Sequence, residues 1–333
     1  MRKYFSLLIL TVFIFSFCLS LFSCGNRNES IPTDSDKEVT EGFPYTFSDS
    51  LGNSVTLTKK PEKVAVLFSS FAEIWTLSGG ELYITVGDSI ERGFAKEGTP
   101  LADEGAGHTS INTELIVSKM PDLVICTADY TVQAECASYL SSIGIPSAVF
   151  RVESVDDYLK VLKIFTDING TDDIYATHGE KLNSDVSSLL AKIQEHTSGK
   201  EKKNILFIRA GSSPKSTKAK NSADNFACRM LEELSTYNIA DSATVLLDGL
   251  SLEEILIKDP EYIFITTMGN EEAAREYVNS LFSEEGWSTL SAVKNGKVIF
   301  LEKDLFHYKP NAKWYSAYEF LCRTLYPELD TSK

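Results

Sequence analysis

The sequence predicts an α/β protein of two lobes, with mostly parallel sheets joined by one long rigid helix. Three observations predict it. Short apolar runs alternate with helical patterns at the spacing of βαβ units in both halves of the chain. Glu114, Ile116, Lys119 and Pro121 return as Glu253, Ile255, Lys258 and Pro260, each 139 positions later (114 to 253), so that a cap, a short helix, a proline break and a buried strand are written twice. Between the halves, about 172–196 reads as a single proline-free helix reaching nearly 40 Å, at about 1.5 Å per residue.

Each element has its own warrant. Phe43 to Leu57 reads as a hairpin, its two strands flanking a turn over 49–53. Lys63 to Phe68 is a short apolar run suited to a strand covered on both faces. A helix follows over 71–77, with Ser70 and Glu73 as a capping box and Gly79-Gly80 as its stop, and then a strand over 82–86. Helix 113–119, strand 122–126, helix 132–142 and strand 147–152 continue the first half, and Ser154 with Asp157 caps a helix to about Ile168. In the second half, strands are expected at 204–208, 243–247, 262–266 and 297–301. Helices are expected at 225–235, 252–258, 271–282 and 312–325, with Ser251 and Glu254 as a second box. The domain boundaries are therefore 43–170 for the first lobe, 171–198 for the connecting helix and 199–333 for the second lobe.

The first residues read as an export signal over 1–23. Arg2 and Lys3 precede the apolar run Leu7 to Phe17, and Leu21-Phe22-Ser23-Cys24 resembles a bacterial lipobox, which makes Cys24 the lipid-bearing residue. Residues 24–42 are polar and acidic, a flexible tether. The net charge is −15, and loss of Arg2 and Lys3 takes it to −17, a surface that repels nucleic acid and anionic lipid. Cys126, Cys136, Cys228 and Cys322 show neither CxxC nor Cys/His ligand spacing. They read as buried free thiols, with a Cys126–Cys136 disulfide as the alternative for an exported chain.

Several stretches resemble the iron-complex and cobalamin class of substrate-binding proteins for ABC importers. The hairpin Phe47 to Leu57 before Pro61-Glu62-Lys63-Val64 is similar to the family's opening. Asn112-Thr113-Glu114 before Pro121 to Ile125 resembles its second signature, Trp287 to Val298 its closing one, and Leu325-Tyr326-Pro327-Glu328 its terminal helix. The resemblance covers about 43–328. It implies two Rossmann-like lobes bridged by one helix, a bulky ligand held between them with modest closure, and one Glu per lobe docking on Arg residues of a permease. Glu114 and Glu253 fall at those positions. The implied partners are a permease dimer with its ATPase subunits, a small metal chelate and the membrane through the lipid anchor. The protein itself is expected to be monomeric and free of resident cofactors.

In open parallel sheets ligands bind beyond the C-terminal strand ends. That rule points to Ser70, Phe71, Arg92, His108 and Tyr130 in the first lobe. In the second it points to Arg209, Lys220, Asn225, Phe226 and the Phe306-His307-Tyr308-Lys309 turn. Four basic residues between 209 and 220 in so acidic a chain suit an anionic ligand. His307 and Tyr308 are the candidate metal ligands if the guest is haem or directly ligated iron. An iron chelate, siderophore or haem, is ranked first and a corrinoid second. The alternative from another class is an exported α/β hydrolase or chelatase, for which the chain shows no nucleophile elbow and only four His toward a dense ligand cluster. A zinc or manganese receptor needs more than His108, His178, His196 and His307 supply.

Overall fold

The structure is a computed structural model that describes residues 42–103 and 110–331. The export signal, Cys24, the tether up to residue 41 and His108 lie outside the described residues. Strands β1 (Tyr45–Ser48) and β2 (Ser54–Leu57) form the expected antiparallel hairpin. Its turn is pinned to the first sheet by Asp49. The buried carboxylate accepts the backbone N–H groups of Leu51, Asn53 and Val149 at 2.9, 2.8 and 3.1 Å.

The first sheet has strand order β3-β4-β5 (Val64–Val66, Leu123–Thr127, Ser147–Phe150), all parallel. Its strands are buried on both faces, which is why they read as unbroken apolar runs. Crossover from β3 to β4 passes through α1 (Ser69–Leu77), α2 (Gly87–Glu91) and α3 (Thr113–Lys119). That from β4 to β5 passes through α4 (Thr131–Ser142). The expected strand over 82–86 is reduced to two bridges, Ala65 with Ile84 and Thr85 with Leu101. The Ser70–Glu73 box does not form. Helix α1 starts earlier, its N-cap is Phe68, and Ser70 and Glu73 are drawn into contacts described below. Ser154 does cap α5 (Val155–Asn169), accepting the Asp157 N–H at 3.2 Å.

The connector is one run of helical residues from α6 (Asp172–Ile174) through a π-helical segment (Tyr175–Glu180) to α7 (Lys181–Thr197). Leu182, Val186, Leu189 and Ile193 form its buried stripe. The π turn fits Gly179 against the Tyr175 ring, where a Cβ would stand 2.8 Å from a ring carbon.

In the second sheet β6 (Lys203–Ala210) is central. It pairs in parallel with β9 (Tyr262–Thr267), which pairs in parallel with β10 (Val298–Phe300). The other edge of β6 is shared by β8 (Thr236–Asn238), parallel at its start, and β7 (Lys218–Ala219), antiparallel at its end. Neither β7 nor β8 was expected. The expected strand over 243–247 is a 3-10 turn at Thr244–Leu247 instead. The edge position went to β8, which follows α8 (Phe226–Glu233) directly. Helix α9 (Leu252–Lys258) matches its expected bounds, but the Ser251 side chain makes no cap bond, so the second box is absent too. Helices α10 (Glu271–Ser283), α11 (Ser291–Lys294), α12 (Lys303–Phe306) and α13 (Trp314–Leu325) complete the body.

One hydrophobic core runs through Val66, Ile125, Phe150, Phe165, Ile193, Phe207, Phe264 and Trp314, and so spans both sheets and the connector. The other face of each sheet has its own core. Cys126, Cys136, Cys228 and Cys322 are free and buried, and burial pushes each thiol above its ordinary range. Among the described residues no helix is long and apolar enough to cross a membrane.

Candidate functional site

The two sheets meet at a polar seam built from strand ends and helix starts. Ser69 and Ser70 open α1 just beyond β3 and are buried. Arg92, the C-cap of α2, donates to Ser69 Oγ at 3.1 Å, Ser70 Oγ at 3.4 Å and Glu73 Oε2 at 3.3 Å. Its guanidinium lies 4.8 Å from the Phe94 ring and 4.3 Å from the Tyr308 ring of the second lobe.

Asn311 crosses the same seam. It is buried at φ 51, and its Nδ2 donates to the Ser70 carbonyl at 2.9 Å and to Glu73 Oε2 at 2.8 Å. Burial raises the Glu73 carboxyl above its usual value, against the opposing pull of Asn311 and Arg92. A second set of crossings involves Lys309, whose Nζ lies 2.5 Å from Glu153 Oε1 and 3.7 Å from Asp129 Oδ2. Arg229 reaches Glu153 Oε2 at 3.4 Å.

The other candidates divide in two. Tyr130 packs edge-on to Phe68 at 6.2 Å, and burial, then Asp129 and Asp88, raise its phenol. His307 stands edge-on to Tyr308 at 5.2 Å. Its pKa is lowered by burial first, then by Lys303 and Arg209. Arg209, next to last in β6, has a buried Nε with no hydrogen-bond partner among the described residues. Ser70, Arg92, Tyr308 and His307 thus form one chain of neighbours across the seam.

Four candidates face elsewhere or are already engaged. Phe71 is 1% exposed and packs on Phe150, and Phe226 is 5% exposed and packs on Trp314, so both rings belong to the core. The Asn225 carboxamide caps α8, accepting the N–H groups of Ala227 and Cys228. Lys220 is paired with Asp224 at 2.5 Å. Sequence reasoning missed Glu73, Glu153, Arg229, Lys303 and Asn311. Glu73 was hidden by its fit to a capping pattern, and the rest carry no local signal, because the groups they meet are distant in the chain.

The duplicated segments are alike in structure. Helices α3 and α9 both have seven residues. Glu114 and Glu253 are exposed, and Ile116 and Ile255 are fully buried beneath them. Both helices end on a left-handed C-cap, Met120 at φ 48 and Asp259 at φ 37. Beyond the proline breaks, Asp122 and Glu261 each donate a backbone N–H at 2.8 Å, to the Lys63 and Asn204 carbonyls of the neighbouring strand starts. The copies differ at the cap, since Asn112 accepts the Leu115 N–H whereas Ser251 makes no such bond.

Two α/β lobes bridged by a helical connector, with a polar seam between them, are the class of fold that this geometry defines. The sequence model of the periplasmic binding protein family matches residues 64–305, and the chain belongs to that family. It is 27% identical over 313 residues to the uncharacterized ABC transporter substrate-binding lipoprotein YvrC of Bacillus subtilis, covering 92% of this chain and 93% of the relative. It is 22% identical over 317 residues to the iron(3+)-hydroxamate-binding protein FhuD of the same organism, covering the same shares. Among solved structures, the TroA-like periplasmic binding protein FepB from Veillonella parvula superposes with a TM-score of 0.68 at 17% identity. That match covers 86% of this chain and 92% of the other.

Proposed function

We propose that the protein is the substrate-binding lipoprotein of an ABC importer, holding an iron chelate between its lobes and delivering it to a membrane permease. The observation that carries this reading is the seam itself. Groups from both lobes meet there around aromatic and basic side chains, with Arg92 on Tyr308 and Asn311 on Ser70 and Glu73. The names of the relatives, a substrate-binding lipoprotein and an iron(3+)-hydroxamate-binding protein, support it. The protein acts by binding and carries no catalysis. Cys24 bears the lipid that keeps it at the membrane, facing the periplasm or the cell exterior, and it works as a monomer.

Glu114 and Glu253 dock on the permease. Each is an exposed carboxylate on the first turn of a short helix held by a buried isoleucine, so the pair is presented rigidly, and complementary charge sets orientation and on-rate. Reversal of both to Lys is expected to leave ligand affinity unchanged and to abolish stimulation of the importer's ATPase in reconstituted vesicles. Stimulation equal to the parent protein's would remove the docking role. Titration of the protein with ferric siderophores, haem and cobalamin, followed by absorbance and tryptophan quenching, tests the ligand. Saturable binding of cobalamin alone would transfer the protein to the corrinoid branch of the class.

A further inference from the structure

Side chains alternate along β6. Ile205 and Phe207 belong to the core shared by both sheets, whereas Leu206, Ile208 and Ala210 belong to the core of the opposite face. Arg209 is the next residue on the Ile205–Phe207 side, so it leaves the strand end toward the seam between the lobes. Its direct partner in the antiparallel pair with β7 is Lys218. Directly opposed residues project from the same face, and like charges so placed weaken a ladder. The first residue of α12, Lys303, has its Nζ 5.7 Å from the Tyr308 ring, and after burial the charges of Lys303 and Arg209 lower the pKa of His307, which stands edge-on to that ring.

Elsewhere in the seam each cation is balanced. Arg92 has Glu73, Lys309 has Glu153 and Asp129, Arg229 has Glu153 and Lys220 has Asp224. Arg209, Lys218 and Lys303 are not. Among the described residues none of the three has an ion-pair partner, and the Arg209 Nε is buried without any acceptor. In a chain with 47 acidic and 32 basic residues, a group of unpaired cations with a buried guanidinium nitrogen is the exception that needs a partner.

We propose that the guest is a polyanionic chelate, with at least two carboxylate-type oxygens set against Arg209, Lys218 and Lys303, and that Arg209 is its principal anchor. This rests on the reading of the protein as a chelate receptor and narrows it by charge. Citrate-type ferric complexes and haem, with its two propionates, share the required chemistry, and a neutral ferric trihydroxamate lacks it.

Full-length protein purified in mild detergent is titrated by calorimetry with ferric citrate, haem and neutral ferric tris(acetohydroxamate), in parallel with Arg209→Gln, Lys218→Gln and Lys303→Gln. A thermal melt of each variant checks the fold. The expected result is saturable binding of at least one of the two polyanions, weakened at least about tenfold by Arg209→Gln and less by either lysine change. Affinity should also fall as salt rises from about 0.05 to about 0.5 M. Tighter binding of the neutral complex, or polyanion binding that ignores Arg209→Gln in a folded variant, overturns the charge assignment and leaves the receptor reading standing. Binding of none of the three, together with no binding of other ferric siderophores or cobalamin, overturns both.

Discussion

Glu73 shows how one side chain can be placed by the whole fold. Three residues after Ser70 it looks like half of a capping box, yet in the structure it accepts from Arg92 and from Asn311. Its side chain is 17% exposed, and burial outweighs both donors, so its pKa is raised above the usual 4.5. The sign of the linkage follows. A carboxyl that titrates higher in the folded than in the unfolded protein contributes stability that is fully present below the unfolded value and is lost as pH rises through the folded one. Glu73→Gln keeps an acceptor for Asn311 and stays neutral throughout. The parent protein is therefore expected to lose Tm relative to Glu73→Gln as pH rises from about 4.5 to about 7, read by scanning calorimetry at several pH values. Parallel Tm curves for the two proteins would show that the carboxyl is not perturbed.

At the scale of elements, the connector is the piece on which both lobes depend. Leu182, Val186, Leu189 and Ile193 recur at spacings of four, three and four, which puts them on one face. All four belong to the core that includes both sheets. Ile193→Ala is expected to destabilise the protein by about 2–5 kcal/mol, measured by urea unfolding. A loss below about 0.5 kcal/mol would mean that the stripe is not packed as described. This helix was legible in the sequence because proline is absent and the apolar spacing is regular. The π segment within it was not, since what distinguishes it is the fit of Gly179 under Tyr175. The duplicated α3–β4 and α9–β9 segments were legible for the same kind of reason, since the buried isoleucine and the proline break are local, whereas the cap read in both copies forms only at Asn112. β8 and the 3-10 turn at 244–247 were exchanged because the apolar run of the turn mimics a buried strand, while Thr236–Asn238 is too short to show a pattern. The site divides likewise. The strand-end rule pointed to Arg92, Tyr130, Arg209, His307 and Tyr308, and Phe71 and Phe226 satisfy the same rule but turn inward to the core.

At the scale of the molecule, the shared core decides how the lobes come apart. Two lobes with independent cores would melt separately, in line with their separate sheets. Here Phe150 and Phe165 of the first lobe, Ile193 of the connector and Phe207, Phe264 and Trp314 of the second lie in one continuous cluster. Loss of either half would expose the apolar surface of the other, so partial unfolding is penalised at both ends. Polar crossings at the seam, Lys309 to Glu153 and Asn311 to Ser70, add to this coupling. The protein is expected to unfold in urea as one cooperative unit. Its tryptophans make the test local, because Trp75 is buried in the first lobe and Trp287 and Trp314 in the second. A variant retaining only Trp75 and another retaining only Trp314 should give fluorescence midpoints that each coincide with the circular dichroism midpoint of the same variant. Were Trp75 to report an earlier transition than the loss of helix in its own variant, the lobes would be separate folding units, and the modest closure implied by a rigid connector would lose its physical basis.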